Sequence, residues 1–135
     1  MELDEKDLRI IEALQEDARA TIKWISHKTG IKQSTVHQRM QRLIREGVIE
    51  RFSVTLSPEF SEQKVLLFLG VEKPLPKQAL QDKRITEAFS VSGEYDLVMK
   101  VQVKNISEFS TFLSELKSNY HIISSSSVIC LSALK

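Results

Sequence analysis

Over the first third of the chain, apolar residues recur every three or four positions, the period of an amphipathic helix. Leu8, Ile11 and Leu14, or alternatively Ile10 and Leu14, mark the inner face of a first helix. Asp4 is placed to cap it, and Glu5 and Asp7 put negative charge in its first turn, where the helix dipole favours it. This helix should fade near Asp17. Thr21 can cap a second helix, with Ile22 and Ile25 inward and Gly30 as its stop. After the tight turn Ile31-Lys32-Gln33, a third helix is expected from about Gln33 to Glu46, with Val36, Met40, Leu43 and Ile44 as its stripe and Gly47 ending it. Val48 to Val54 then reads as an extended, β-branched segment.

The pattern changes after a polar stretch, Ser57 to Gln63, which lacks clear periodicity and reads as a linker. Val65 to Val71 is an apolar run of strand length, broken by Lys73-Pro74-Leu75-Pro76. Lys77 to Arg84 follows as a short helix with Ala79 and Leu80 inward, and Ile85 to Ser92 as a weakly alternating strand. Ser92 to Asp96 is a turn signal. Leu97, Met99, Val101 and Val103 alternate with Val98, Lys100, Gln102 and Lys104, the clearest half-buried strand of the chain. Asn105 caps a helix to about Ser118 with Ile106, Phe109, Leu113 and Leu116 on one face, and Ile122 to Leu134 is the last strand.

Two domains follow from this order. Residues 1–52 form a winged-type helix-turn-helix, 53–64 a linker, and 65–135 a ferredoxin-like βαββαβ unit with an antiparallel sheet and both helices on one face. The fold class is α+β. The other face of such a sheet is bare, and Leu67, Leu69, Val98 and Ile129 are too apolar as a group to face water, so this domain is expected to dimerise.

Charge sharpens the reading of the first domain. The 135 residues carry 19 Lys and Arg against 18 Asp and Glu, a net of +1 that by itself argues against a nucleic-acid partner. Its distribution reverses that argument. From Arg19 to Arg45 there are seven basic residues and no acidic one, whereas the other 108 residues hold 12 basic and 18 acidic side chains. The basic block falls on the helix-turn-helix. Off the apolar stripe of its third helix lie Lys32, Gln33, Ser34, Thr35, His37, Gln38, Arg39 and Arg42. These are side-chain types that read base edges and phosphates: glutamine for adenine, arginine for guanine, serine and threonine for the backbone. Double-stranded DNA is the expected partner.

The remaining chemistry is sparse. One cysteine, Cys130, excludes an intramolecular disulfide framework and a cysteine-based zinc site. His27, His37 and His121 lack ligand spacing, so no metal is expected. There is no Gly-rich phosphate loop and no nucleophile elbow, so neither a cofactor nor a catalytic residue is expected. No apolar run is long enough to span a membrane and the acidic N-terminus is no secretory signal, so the expected setting is the cytoplasm.

Leu3-Asp4-x-x-Asp7-x-x-Ile10, Leu14-Gln15-x-Asp17-x-Arg19 and Ser34-Thr35-Val36-x-x-Arg39-x-x-x-Leu43-x-x-x-Gly47-Val48-Ile49 resemble the DNA-binding domain of the Lrp/AsnC (feast/famine) transcriptional regulators. Gly93-Glu94-Tyr95-Asp96-Leu97 resembles the turn of that family's C-terminal effector domain. The resemblance spans essentially the whole chain. It implies a prokaryotic regulator that dimerises, and often builds octamers, through its ferredoxin-like domains. It also implies an amino-acid effector held near Gly93, Glu94, Tyr95 and Asp96 and near Ser125, Ser126 and Ser127, where the family has a Thr-x-Thr-like stretch. An amino acid offers an ammonium for Asp96 and a carboxylate for hydroxyl and backbone donors. Ser124 to Ser127 are poor strand formers and ask for such an explanation.

The chain departs from the family in three places. Lys32 stands where a serine usually caps the recognition helix, Trp24 occupies a usually polar position, and the linker lacks a glycine that often follows it. Two alternatives stand beside the effector-controlled regulator. One is an effector-independent architectural DNA-binding protein. The other is an enzyme resembling the sirohaem decarboxylases, against which Phe52 to Lys73 holds no histidine and the third helix keeps base-reading side chains.

Overall fold

The computed structural model describes all 135 residues, and they form two compact units, Met1–Thr55 and Leu56–Lys135. The first contains three helices: α1 (Glu5–Glu16), α2 (Ile22–Thr29) and α3 (Gln33–Arg45). Their ends are set by local chemistry. Asp4 and Asp7 form a reciprocal capping box at the start of α1, and the Thr21 side chain accepts from the Trp24 N–H at the start of α2. Gly30 closes α2 in the left-handed conformation, φ 72°. Gly47, φ 74°, does the same after α3, where its N–H donates to the Ile44 carbonyl and the Val48 N–H to the Leu43 carbonyl, the paired bonds of a Schellman motif. At Lys32 no side chain caps α3.

Ile10, Ala13, Leu14, Ile25, Ile31, Val36 and Leu43 make the core of this unit. Of the two faces open to the first helix, the Ile10/Leu14 face is buried and Leu8 is exposed. The extended segment expected over Val48–Val54 forms no strand: residues 50–57 have no ladder partner, and Phe52, Val54 and Leu56 are exposed.

The second unit begins with a 3₁₀ turn, Pro58–Phe60, and continues through β1 (Gln63–Val71), α4 (Lys77–Leu80), β2 (Ile85–Ser90), β3 (Leu97–Val103), α5 (Ile106–Asn119) and β4 (Ile122–Ile129). The sheet is antiparallel, in the order β2-β3-β1-β4. This is the expected βαββαβ arrangement. The helix predicted to Arg84 ends at Leu80, and the last strand ends five residues before Leu134.

Register decides which residues share a face, because strand side chains alternate. Val65, Leu67 and Leu69 stand opposite Val101, Met99 and Leu97. They form the core with Phe109, Phe112 and Leu116 of α5. The apolar stripe of α5 is therefore Phe109, Phe112 and Leu116, not the expected Ile106, Phe109, Leu113 and Leu116: Ile106 is exposed and Leu113 half-buried. The grouping of Leu67, Leu69, Val98 and Ile129 on the bare face is likewise corrected. Leu67 and Leu69 are fully buried beneath the helices, and Ile129 is in register with Val65 on that same side. The open face carries Leu66, Phe68, Val98, Phe89 and Val128 instead, with Tyr95 packed on Phe68 at 5.8 Å between ring centroids. An apolar open face is present, displaced by one residue along β1.

Gly70 faces Ser124 across the β1–β4 ladder, and a Cβ at Gly70 would collide with the Ser124 hydroxyl while only touching its Cβ. Gly70→Ala should therefore force the exposed Ser124 hydroxyl into another rotamer and change stability little in wild type, but raise it in a Ser124→Ala background, where strand propensity and lower unfolded-state entropy favour alanine. A double-mutant cycle by urea unfolding should give a coupling of roughly 0.5–1.5 kcal/mol. Additive effects would mean that the two positions do not touch.

Candidate nucleic-acid interface and effector turn

At 100° per residue, α3 divides into three sectors. Val36 and Leu43 are fully buried in the core, and Met40 is half-buried beside them. Gln33, Ser34, His37, Gln38, Gln41, Ile44 and Arg45 lie on one exposed arc. Thr35, Arg39 and Arg42 occupy the sector between, half-buried, facing the start of α1.

That start is where the two arginines are held. Asp7 has no exposed surface and is the one buried charged residue of the chain. Its Oδ1 accepts from Arg39 Nη1 at 3.0 Å, and its Oδ2 accepts from Arg42 Nη2 at 2.7 Å and from the Asp4 N–H at 3.1 Å. Arg39 Nη1 also donates to both oxygens of Asp4, at 2.5 Å. Both carboxylates of the capping box are thus closed by guanidinium groups from a helix more than 30 residues away. Hydrogen bonding to Arg39 is the main cause that holds the Asp4 carboxyl well below the usual carboxylate range, and the same bond raises Arg39. Arg42 Nε is buried without a partner, so the fit is tight on the carboxylate side and incomplete on the other.

Of the eight residues expected at DNA, the structure presents Lys32, Gln33, Ser34, His37 and Gln38 to solvent and half-buries Thr35, and it engages Arg39 and Arg42 within the protein. Gln41 and Arg45 share the exposed arc and were not among the expected residues. Helical spacing alone would have found them, since Gln41 lies three positions after Gln38 and Arg45 four positions after Gln41. The basic block is correspondingly reduced. Besides the two arginines, Lys28 is paired with Glu16 and stands over the Trp24 ring, 4.8 Å from its centroid. Trp24 is thus a partly exposed platform for a lysine.

In the second unit, Gly93 adopts φ 132°, a conformation that favours glycine, in the turn between β2 and β3. Asp96 fastens this turn. Its N–H donates to the Leu69 carbonyl, its carbonyl accepts from the Val91 N–H, and its Oδ2 accepts from the Val71 N–H at 2.8 Å. A cavity of about 360 Å³ opens beside it, lined by Asp96, Val71, Glu72, Lys73, Leu75, Leu80, Ala88, Phe89 and Leu97 among others. That is the small end of ligand-binding cavities, which run from ~300 Å³ upward. Gly93, Glu94 and Tyr95 do not line it. Nor do Ser125, Ser126 and Ser127, which pair with Leu69, Phe68 and Leu67 on the far flank of β1. Two strand spacings, about 10 Å, separate the turn from the serines. Within one subunit the structure does not bring the two expected halves of the effector site together. No group of three or more His, Cys, Asp or Glu side chains converges as a metal site would require.

Comparison with known proteins agrees with this division. Residues 3–50 match the family described as Winged helix-turn-helix DNA-binding, and residues 77–135 match the Lrp/AsnC ligand binding domain. The chain is 35% identical over 122 residues to the HTH-type transcriptional regulator FL11 of Pyrococcus abyssi, covering 86% of this chain and 81% of that protein. Among solved structures, an AsnC family transcriptional regulator from Agrobacterium tumefaciens superposes with a TM-score of 0.80 at 22% identity, over 98% of this chain and 93% of that one. The transcriptional regulator NMB0573 of Neisseria meningitidis, solved as a complex with L-Met, also gives 0.80, at 20% identity over 99% and 93%.

The Asp4–Asp7–Arg39–Arg42 cluster predicts two responses, both readable through Trp24, the single tryptophan. Asp7→Asn removes a fully buried charge from two guanidinium partners and should cost about 3–5 kcal/mol in urea unfolding of the first unit. The sign of the acid response follows from Asp4. Its folded value lies below its unfolded one, so its contribution is present above about pH 5 and is lost as pH falls through the carboxylate range. Asp4→Asn keeps a capping side chain without the charge, and should flatten stability against pH below 5. An unchanged acid limb would remove Asp4 from the account.

Proposed function

The chain belongs to the Lrp/AsnC family of DNA-binding transcriptional regulators, and from that premise we propose how its two units divide the work. DNA is met by the exposed arc of α3. The observation that carries this reading is the arc itself: Gln33, Ser34, His37, Gln38, Gln41 and Arg45 around a single apolar residue, Ile44, with Lys32 at its start and no acidic side chain. A helix inserted in a major groove presents its N-terminal residues to base edges. Lys32 and Arg45, at the two ends of α3, are suited to phosphates. Arg39 and Arg42 hold α3 against α1 and act on DNA only through that placement.

The second unit supplies dimerisation and ligand control, with residues 53–64 as the linker between the two activities. The open apolar face around Leu66, Phe68 and Val98 is the surface on which two copies meet, which sets two recognition helices on one duplex. Octamers, an expectation from the family resemblance, would be built from such dimers in the cytoplasm. A small effector, of which an amino acid is the favoured class, enters beside Asp96. The cavity there has apolar walls for a side chain, and the Asp96 oxygen not bonded to Val71 is suited to an ammonium. Ligand control of a related fold is supported by the L-Met complex of the Neisseria protein. Enzymatic chemistry is the weaker reading, because the exposed arc on α3 suits nucleic acid.

Melting of the full chain in the presence of each of the twenty amino acids tests the ligand. A binder at 100 times its Kd should stabilise by about 2.7 kcal/mol, and Asp96→Ala should abolish the shift. If no amino acid shifts the melt and Asp96→Ala leaves DNA affinity and assembly unchanged, the architectural alternative replaces the effector-controlled one. For the dimer, Phe68→Asp places a charge in the proposed interface. Sedimentation should show dimers or larger species for wild type and monomers for the variant, and a monomeric wild type would defeat the assignment.

A further inference from the structure

The exposed arc of α3 has an unusual chemical character for a helix containing three arginines. Its first two turns present glutamine amides, a serine and a histidine, and no free guanidinium. Arg39 and Arg42 face α1, where Asp4 and Asp7 engage them at 2.5–3.0 Å. Releasing either would strip Asp7, which has no exposed surface, of one of its two guanidinium partners. Arg45 is the third. It lies twelve residues after Gln33, about 18 Å along the axis, beyond the N-terminal turns that go deepest into a groove.

This distribution bears on base choice. Guanine is most often read by a guanidinium fork on O6 and N7, whereas adenine is read by an amide on N6 and N7. The fork is withheld from the leading turns of α3, and the amide is offered at Gln33, Gln38 and Gln41, all exposed. Gln38 and Gln41 are three residues apart, so they are neighbours on the helix surface and can address adjacent base pairs.

Resting on the reading of α3 as the groove-inserted helix, we infer that this chain selects A·T base pairs at the centre of each half-site through the amides of Gln38 and Gln41, with Gln33 at the entry of the helix. Arg39 and Arg42 are positioning residues: they fix the angle at which the amides are presented and make no base contact. Charge plays a secondary part. With Lys32 and with Arg45, whose loose 3.9 Å pair with Glu46 lies on the surface, as the exposed cations of the helix, sequence-independent attraction is weak and discrimination rests on the amides.

Selection from a randomised duplex pool with the full-length chain tests this. The expected outcome is A·T pairs at the positions facing α3. Gln38→Ala and Gln41→Ala should each lose roughly ten-fold of discrimination at one base pair with an unchanged salt dependence. Lys32→Ala and Arg45→Ala should weaken binding to all sequences alike and lower the salt slope by about 1 per contact. These four are surface changes, and an unaltered Trp24 emission would verify that the unit is folded. Arg42→Lys keeps a cation on Asp7 and should leave the selected sequence as it was. Selected sites with G·C at those positions, unchanged preferences in both glutamine variants, or loss of a guanine preference in Arg42→Lys would each overturn the inference. If folded wild type binds no duplex at low salt, the placement of α3 in the groove fails as well.

Discussion

The first unit depends on one buried carboxylate. Asp7 sits at the N3 position of α1, where it closes a capping box with Asp4, and it also receives one guanidinium from each of two successive turns of α3. A carboxylate without exposed surface is tolerable only if its lone pairs are filled by charged donors. Here they are filled by Arg39, Arg42 and the Asp4 N–H, and the consequence is geometric. The end of α1 cannot shift along α3 without unpairing a buried charge. The recognition helix is therefore registered against its neighbour by directional bonds, in addition to the apolar contacts of Ile10, Val36 and Leu43, which would permit sliding.

The second unit uses a different constraint. Its core is made by alternate residues of β1 and β3 under α5, so the parity of β1 determines everything on both sides of the sheet. Even-numbered positions, Leu66 and Phe68, are left on the open face. They are as apolar as the odd-numbered ones, so β1 reads as a continuous hydrophobic run instead of an alternating one. A continuous run of this kind is the pattern of strands covered on both faces, and it is what supports the proposed dimer surface. The turn at Asp96 is tied to this strand from its N–H to Leu69 and its carboxylate to Val71, which couples the rim of the cavity to the strand that carries the open face.

How much of this was legible in the sequence depended on the range of the interaction. Caps and stops are local, and Asp4, Thr21, Gly30, Gly47 and Asn105 were each readable from the residue and its immediate neighbours. The absence of a cap at Lys32 was readable in the same way. Arg39 and Arg42 were not, because their charge is cancelled by carboxylates more than 30 residues away, outside the acid-free block that drew attention to them. Counting charge along the chain treats every guanidinium as available. The face of β1 failed for the opposite reason: with apolar residues at both parities, only the register against β3 distinguishes Leu67 from Leu66. The α5 stripe was off by one residue because Phe112 and Leu113 are adjacent and both apolar. The two flanks of β1 that hold Asp96 and the serines were joined by family resemblance, and a single subunit keeps them apart.

Near-neutrality and DNA binding become consistent once pairing is considered. The first unit carries ten basic and nine acidic residues, and its basic block is partly consumed in holding the helices together. A regulator built this way has little long-range attraction for the phosphate backbone, which carries no sequence information. Its affinity must then come from a well-matched site and, in the proposed dimer, from two copies acting together, since joining two weak readers on one duplex multiplies their discrimination. That places the demand on rigidity. An amide must meet a base edge within hydrogen-bond distance, and without a large electrostatic contribution a helix free to rock would lose both affinity and choice. Arg39 and Arg42, paired with Asp4 and Asp7 within the unit, are what supply that rigidity.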